Sequence, residues 1–208
     1  MARGHNRSLR RRAPKRKPRS RLLIVCEGKV TEPNYFKAFR HQHRNQLVEV
    51  EVLPDGGVPK TLVEHAIDKK KSAERNARRF ADPYLRYDEV WCVFDVDEHP
   101  NLPEAKQQAA ANGLDLAISN PCFELWILLH FQDQRAREHR GQIQRACRNH
   151  IVGFVKEVPF DKLKPHYAEA TQRAAALDIW QKQQGREGDN PSTDVYKLTE
   201  RIIALGKQ

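Results

Sequence analysis

From Leu22 to Phe131, short apolar runs alternate with longer segments of helical periodicity. LLIVC (22–26) is apolar at every position, the pattern of a strand covered on both faces. TEPNYFKAFRHQHR (31–44) puts Tyr35, Phe36 and Phe39 on one helical face, with Thr31 able to cap and Pro33 suited to a first turn. LVEVEVLP (47–54) alternates with period two and predicts a strand. After the loop DGGVPK, TLVEHAIDKKKSAERNARRF (61–80) reads as a long polar helix. DEVWCVFDVD (88–97) is a central strand, and LPEAKQQAAANG (102–113) a helix closed by a left-handed Gly113. LDLAIS (114–119) is the next strand, and NPCFELWILLHF (120–131) an apolar helix with Asn120 as N-cap and Pro121 at N1.

Strand and helix thus alternate four times, which predicts an α/β fold with a mostly parallel sheet flanked by helices. Beyond Gln132 the strand pattern stops. RAREHRGQIQRACRNH (135–150), YAEATQRAAALDIWQKQQ (167–184) and STDVYKLTERIIAL (192–205) read as helices. The expected organisation is one domain over 21–208, with an α/β core at 21–131 and a helical C-terminal layer at 132–208. No internal repeat is visible.

Charge singles out what precedes this domain. Ten of the 37 Lys and Arg lie between Met1 and Arg21, where no acidic residue occurs, leaving 27 basic residues against 27 acidic ones. The net charge of +10 is therefore a property of the tail, residues 1–20, with Arg21 at its junction. Such a segment has too little apolar surface to offset ordering entropy, so it is expected to be disordered when free. Arg10, Arg11, Arg12, Lys15, Arg16 and Lys17 are candidate phosphate contacts, binding by counterion release. The tail lacks the apolar stretch of a secretory leader, and no apolar run reaches the roughly 20 residues of a membrane span. Cys26, Cys92, Cys122 and Cys147 are widely separated with no C-x-x-C pair, the usage of a reducing cytoplasm and not of a zinc module.

The chemistry concentrates where strands end. Glu27 follows LLIVC, and Asp95 and Asp97 close WCVFDVD. Ligands of open parallel sheets bind beyond the carboxyl ends of the strands. Residues i and i+2 of an extended chain face the same way, so Asp95 and Asp97 can address one point. If the two strands are neighbours, three carboxylates converge, and like charges at a core edge call for a compensating cation. Oxygen donors without His or Cys select a hard ion, Mg²⁺ or Mn²⁺. Lys29 sits beside these acids. Glu124 lies in an otherwise apolar helix and needs a partner if buried. Asn190, Ser192 and Thr193 suggest an exposed polar loop at a helix start, a setting suited to phosphate contact.

Four ordered segments, IVCEGKVTEPNYFKAF, VFDVDEH, SNPCFELWILLHF and NPSTDVYKL, resemble the successive motifs of RloB-like proteins. That family is associated with abortive phage resistance, and its core is related to the TOPRIM fold. The resemblance covers most of residues 20–200. It implies Glu27 as general acid or base and metal ligand, and Asp95 and Asp97 as metal carboxylates. OLD-type nucleases, a related TOPRIM group, carry a second Glu soon after the first. Glu32 is similar, but five residues on instead of four.

The resulting expectation is a Mg²⁺- or Mn²⁺-dependent nuclease acting on DNA or RNA in anti-phage defence, with Lys29 stabilising charge on the phosphate. The resemblance also implies an ATPase partner encoded nearby, and the chain has no G-x-x-x-x-G-K-[ST] of its own. A homo-oligomer is compatible with this reading. The rival is a non-catalytic TOPRIM-like scaffold that binds nucleic acid or the ATPase. A haloacid-dehalogenase-type phosphatase fits poorly, because its Asp-x-Asp follows the first strand and this one follows the third.

Overall fold

The computed structural model describes residues 20–53, 58–96, 102–154 and 158–207. The expected basic contacts of the tail, Arg10 to Lys17, and one expected metal ligand, Asp97, lie outside the described residues.

Four strands, β1 (Leu22–Cys26), β2 (Val48–Val52), β3 (Glu89–Asp95) and β4 (Asp115–Asn120), run parallel in the order β2-β1-β3-β4. A two-residue strand, β5 (Ser192–Thr193), adds antiparallel to the β4 edge. Helices α1 (Thr31–Gln42), α2 (Pro59–Arg79), α3 (Leu102–Ala111) and α4 (Glu124–Leu129) follow β1 to β4 in turn. Then come α5 (Arg140–His150), α6 (Phe160–Leu163), α7 (Tyr167–Gln183) and α8 (Val195–Gly206).

The unbroken apolar run of β1 has a simple cause: both faces of the sheet are covered. Leu22, Ile24 and Cys26 pack into a core with α1, α4, α7 and α8, while Leu23 and Val25 point to a second core built with α2 and α3. β3 repeats the division, with Trp91 and Val93 on the first side and Val90, Cys92 and Phe94 on the second. The larger core centres on Trp126 of α4, which is fully buried and stands edge-on to Tyr35 of α1 at 6.4 Å between ring centroids. Truncating such a ring costs about 3–5 kcal/mol.

Four local expectations need correction. Thr31 is not the cap of α1 but its first residue, after Val30 at the cap position, where no side-chain cap bond is made. Asn120 is not a helix cap: it ends β4 in register with Ser192, the Asn120–Pro121 bond is cis, and α4 starts only at Glu124. Ser192 and Thr193 are not an exposed loop: they form β5, and the Thr193 hydroxyl is buried 2.9 Å from that of Ser119. Residues 135–139 precede α5 instead of belonging to it. Gly113 does adopt the left-handed conformation (φ 60°) beyond α3. Among the described residues, no helix is long and apolar enough to cross a membrane.

Candidate active site

The neighbouring-strand condition is met. β1 pairs with β3, with Cys26 opposite Val93, and the Glu27 amide donates to the Val93 carbonyl at 3.0 Å. Glu27 therefore leaves the sheet one step beyond that register, and Asp95 ends β3 alongside it. Both line a cavity of about 370 Å³ at the carboxyl edge of the sheet, together with Gly28, Lys29, Glu32, Glu124, Arg140 and Gln144.

Glu32 is in the first turn of α1 and only 7 % exposed. Its carboxylate lies against Gly28, where an added Cβ would stand 2.0 Å from Oε2. The loop from Glu27 to Val30 thus folds back over the start of α1, and this close approach is why residue 28 has no side chain. Burial pushes the Glu32 carboxyl up to about 7; its own backbone N–H opposes the rise, the charges of Glu124 and Glu27 add to it, and Arg140 pulls the other way.

Glu124 and Asp95 are similarly enclosed, 8 % and 9 % exposed. Helix α5 serves both. Arg140 Nη2 donates to Asp95 Oδ2 at 2.8 Å, and one turn on, Gln144 Nε2 donates to Glu124 Oε1 at 3.2 Å. The thiol of Cys147, on the next turn, donates to the Glu124 backbone carbonyl at 3.3 Å. Arg140 and Gln144 are spaced i,i+4, so one face of α5 closes the cavity. Neither residue stood out in the sequence: both lie in a polar helix whose contact with the strand ends becomes visible only once the chain is folded.

Burial disfavours the thiolate form of the cysteines near the site. Burial raises Cys26 and Cys122 well above the ordinary thiol range and pushes Cys147 up to about 12, with neighbouring carboxylates adding to each. Asn190 holds another place. Its Nδ2 donates to the Glu138 carbonyl at 2.8 Å, tying the loop before β5 to the loop before α5.

The cavity therefore gathers Glu27, Glu32, Asp95 and Glu124 with two cations, Lys29 and Arg140. All four acids are oxygen donors, the chemistry that suits a hard divalent ion, and burial first, with the charges of Glu124 and Glu27 adding to it, raises the Glu32 carboxyl to about 7. Among the described residues, no three His, Cys, Asp or Glu side chains meet at one point where an ion would be held.

A family model described as RloB-like protein matches residues 22–202, most of the chain. No curated protein and no solved structure matches.

Proposed function

The chain belongs to the RloB-like protein family, and from that membership we propose that it is a divalent-metal-dependent nuclease, hydrolysing phosphodiester bonds of DNA or RNA in anti-phage defence. The observation that carries this reading is the delivery of Glu27 and Asp95 by two hydrogen-bonded parallel strands into one cavity with Glu32 and Glu124. Glu27 and Asp95, with Asp97, would hold Mg²⁺ or Mn²⁺. When bound, such an ion neutralises phosphate charge and lowers the pKa of water.

The chain's own groups supply the rest. Glu27 takes up a proton from the attacking water. Glu32, raised by burial to about 7, can hold or release a proton beside it near neutral pH. Lys29 and Arg140 line the same cavity and offer positive charge to the phosphate. The role in phage defence and an ATPase partner are supported by the resemblance of the four motifs alone, and co-purification with the neighbouring gene product tests the partner.

One observation favours a second reading, a non-catalytic scaffold that binds nucleic acid or the ATPase. Asp95 is engaged by Arg140, which occupies one of the carboxylates a metal would need.

Melting curves with and without Mg²⁺ and Mn²⁺ decide between them. At free ion a hundredfold above its dissociation constant, the nuclease reading expects a gain of about 2.7 kcal/mol. Glu27→Gln and Asp95→Asn should each remove that gain and abolish cleavage. Wild-type protein indifferent to both ions would count against the metal site and favour the scaffold reading.

A further inference from the structure

Arg140 is shared by two concavities. Beside the carboxylate cavity lies a larger groove of about 900 Å³, lined by Arg135, Arg137, Arg140 and Arg186, with His139 and Trp180. Four arginines line it against two acids, Glu138 and Asp189. Arg135, Arg137 and Arg186 are exposed, whereas Trp180 is half-buried and packs on the core.

The groove is built, not an accident of a loose surface. One wall is the loop before α5 and the other the loop between α7 and β5, and Asn190 ties them together through the backbone of Glu138, donating to its carbonyl at 2.8 Å. Asn120, at the end of β4, donates to the Gly188 carbonyl at 2.9 Å, and Gln181 of α7 donates to that of Pro191 at 2.8 Å. These bonds fix where the arginines emanate. A row of arginines that shares Arg140 with the carboxylate cavity matches a phosphate backbone in charge. The aromatic ring matches a base face, which a duplex hides inside its stack.

We propose that this groove carries a single-stranded flank of the polynucleotide, with guanidinium groups on successive phosphates and a base stacked on Trp180. The placement of the scissile phosphate next door rests on the nuclease reading; the binding itself does not.

The test uses the full chain in EDTA, so that no cleavage intervenes, with labelled single-stranded DNA, single-stranded RNA, duplex DNA and polyglutamate as probes. A single strand should quench tryptophan emission in the wild type and not in Trp180→Leu, since Trp91 and Trp126 are buried. Replacing Arg135, Arg137 and Arg186 together by Ser should weaken single-strand binding at least about tenfold. It should also reduce the log–log salt slope by about 2, the loss of three phosphate contacts. Arg186→Glu alone, in an exposed loop, should shift affinity in the same direction and guards against a misfolded triple variant. The relative affinity for the two single strands assigns DNA or RNA. Unchanged affinity and slope in the folded triple variant would overturn the proposal. So would equal quenching in Trp180→Leu, or duplex or polyglutamate binding as tightly as a single strand. Cleavage with an unchanged KM in the triple variant refutes the groove and leaves the nuclease standing. Groove-dependent binding without cleavage under Mg²⁺ does the reverse.

Discussion

A methyl group on Gly28 would stand 2.0 Å from Oε2 of Glu32 and 2.4 Å from its Cδ, so the carboxylate fills the space that any side chain at 28 would need. Gly28→Ala must displace the acid from its enclosed seat, at an expected cost of about 1–3 kcal/mol when measured near pH 4, where Glu32 carries its proton and loses no burial penalty by leaving. In the double variant Gly28→Ala, Glu32→Ala the added methyl finds that space empty. Denaturant unfolding of the four proteins should give a coupling of at least about 1 kcal/mol, with Glu32→Ala suppressing the penalty at 28. Additive effects would show that the two residues do not meet.

Glu32 also predicts a pH dependence. Its folded carboxyl sits at about 7, above the ordinary value of 4.5. Below 4.5 the group is protonated folded or unfolded and contributes no penalty. As pH rises from there to 7, the unfolded chain releases the proton while the folded one keeps it, so stability falls. At about 1.4 kcal/mol per unit, the loss approaches 3 kcal/mol by neutral pH. Unfolding in EDTA should show this decline in the wild type, and Glu32→Gln should lose that portion of it. A variant with the wild-type pH profile would show that Glu32 is not the titrating group.

The fold was legible wherever burial leaves a periodic mark. The runs at Leu22–Cys26 and Glu89–Asp95 read as strands because each is buried on both faces, and their acidic ends pointed to the cavity. What escaped depends on contacts distant in sequence. Ser192–Thr193 is too short to show alternation and becomes a strand only because the β4 edge offers it partners. Arg140 is one arginine among many until folding brings it to Asp95, 45 residues away. The five-residue spacing of Glu27 and Glu32 also makes sense only in three dimensions, where the intervening loop folds back so that Gly28 lies against the second acid.

The cysteines should be silent in the native protein. Cys26, Cys92, Cys122 and Cys147 are free and wholly buried, and burial raises each thiol above its ordinary range. A thiol reagent at pH 8 should modify none of them within minutes, and all four after unfolding in guanidinium. Rapid reaction of one thiol in the folded state would bring cysteine chemistry back to the cavity.

Arg140 and a divalent ion would draw on the same carboxylate. The guanidinium bonds Asp95 at 2.8 Å, with the arginine side chain 43 % exposed and the aspartate 11 %. Exposure on the arginine side weakens the pair, so Arg140→Ala should cost only about 1 kcal/mol in EDTA. Mg²⁺ reverses the comparison. Removing the competing cation frees Asp95 for the metal, and a gain of about 1.4 kcal/mol is a tenfold shift in affinity. Melting temperature followed across a Mg²⁺ titration should therefore reach its midpoint at roughly tenfold lower concentration in Arg140→Ala than in wild type, with Asp95→Asn unresponsive in either background. Cleavage should nevertheless fall in Arg140→Ala, because a cation that lines both the cavity and the arginine groove is lost to the phosphate. A Mg²⁺ midpoint unchanged or raised by the substitution would show that Arg140 and the metal do not compete for Asp95.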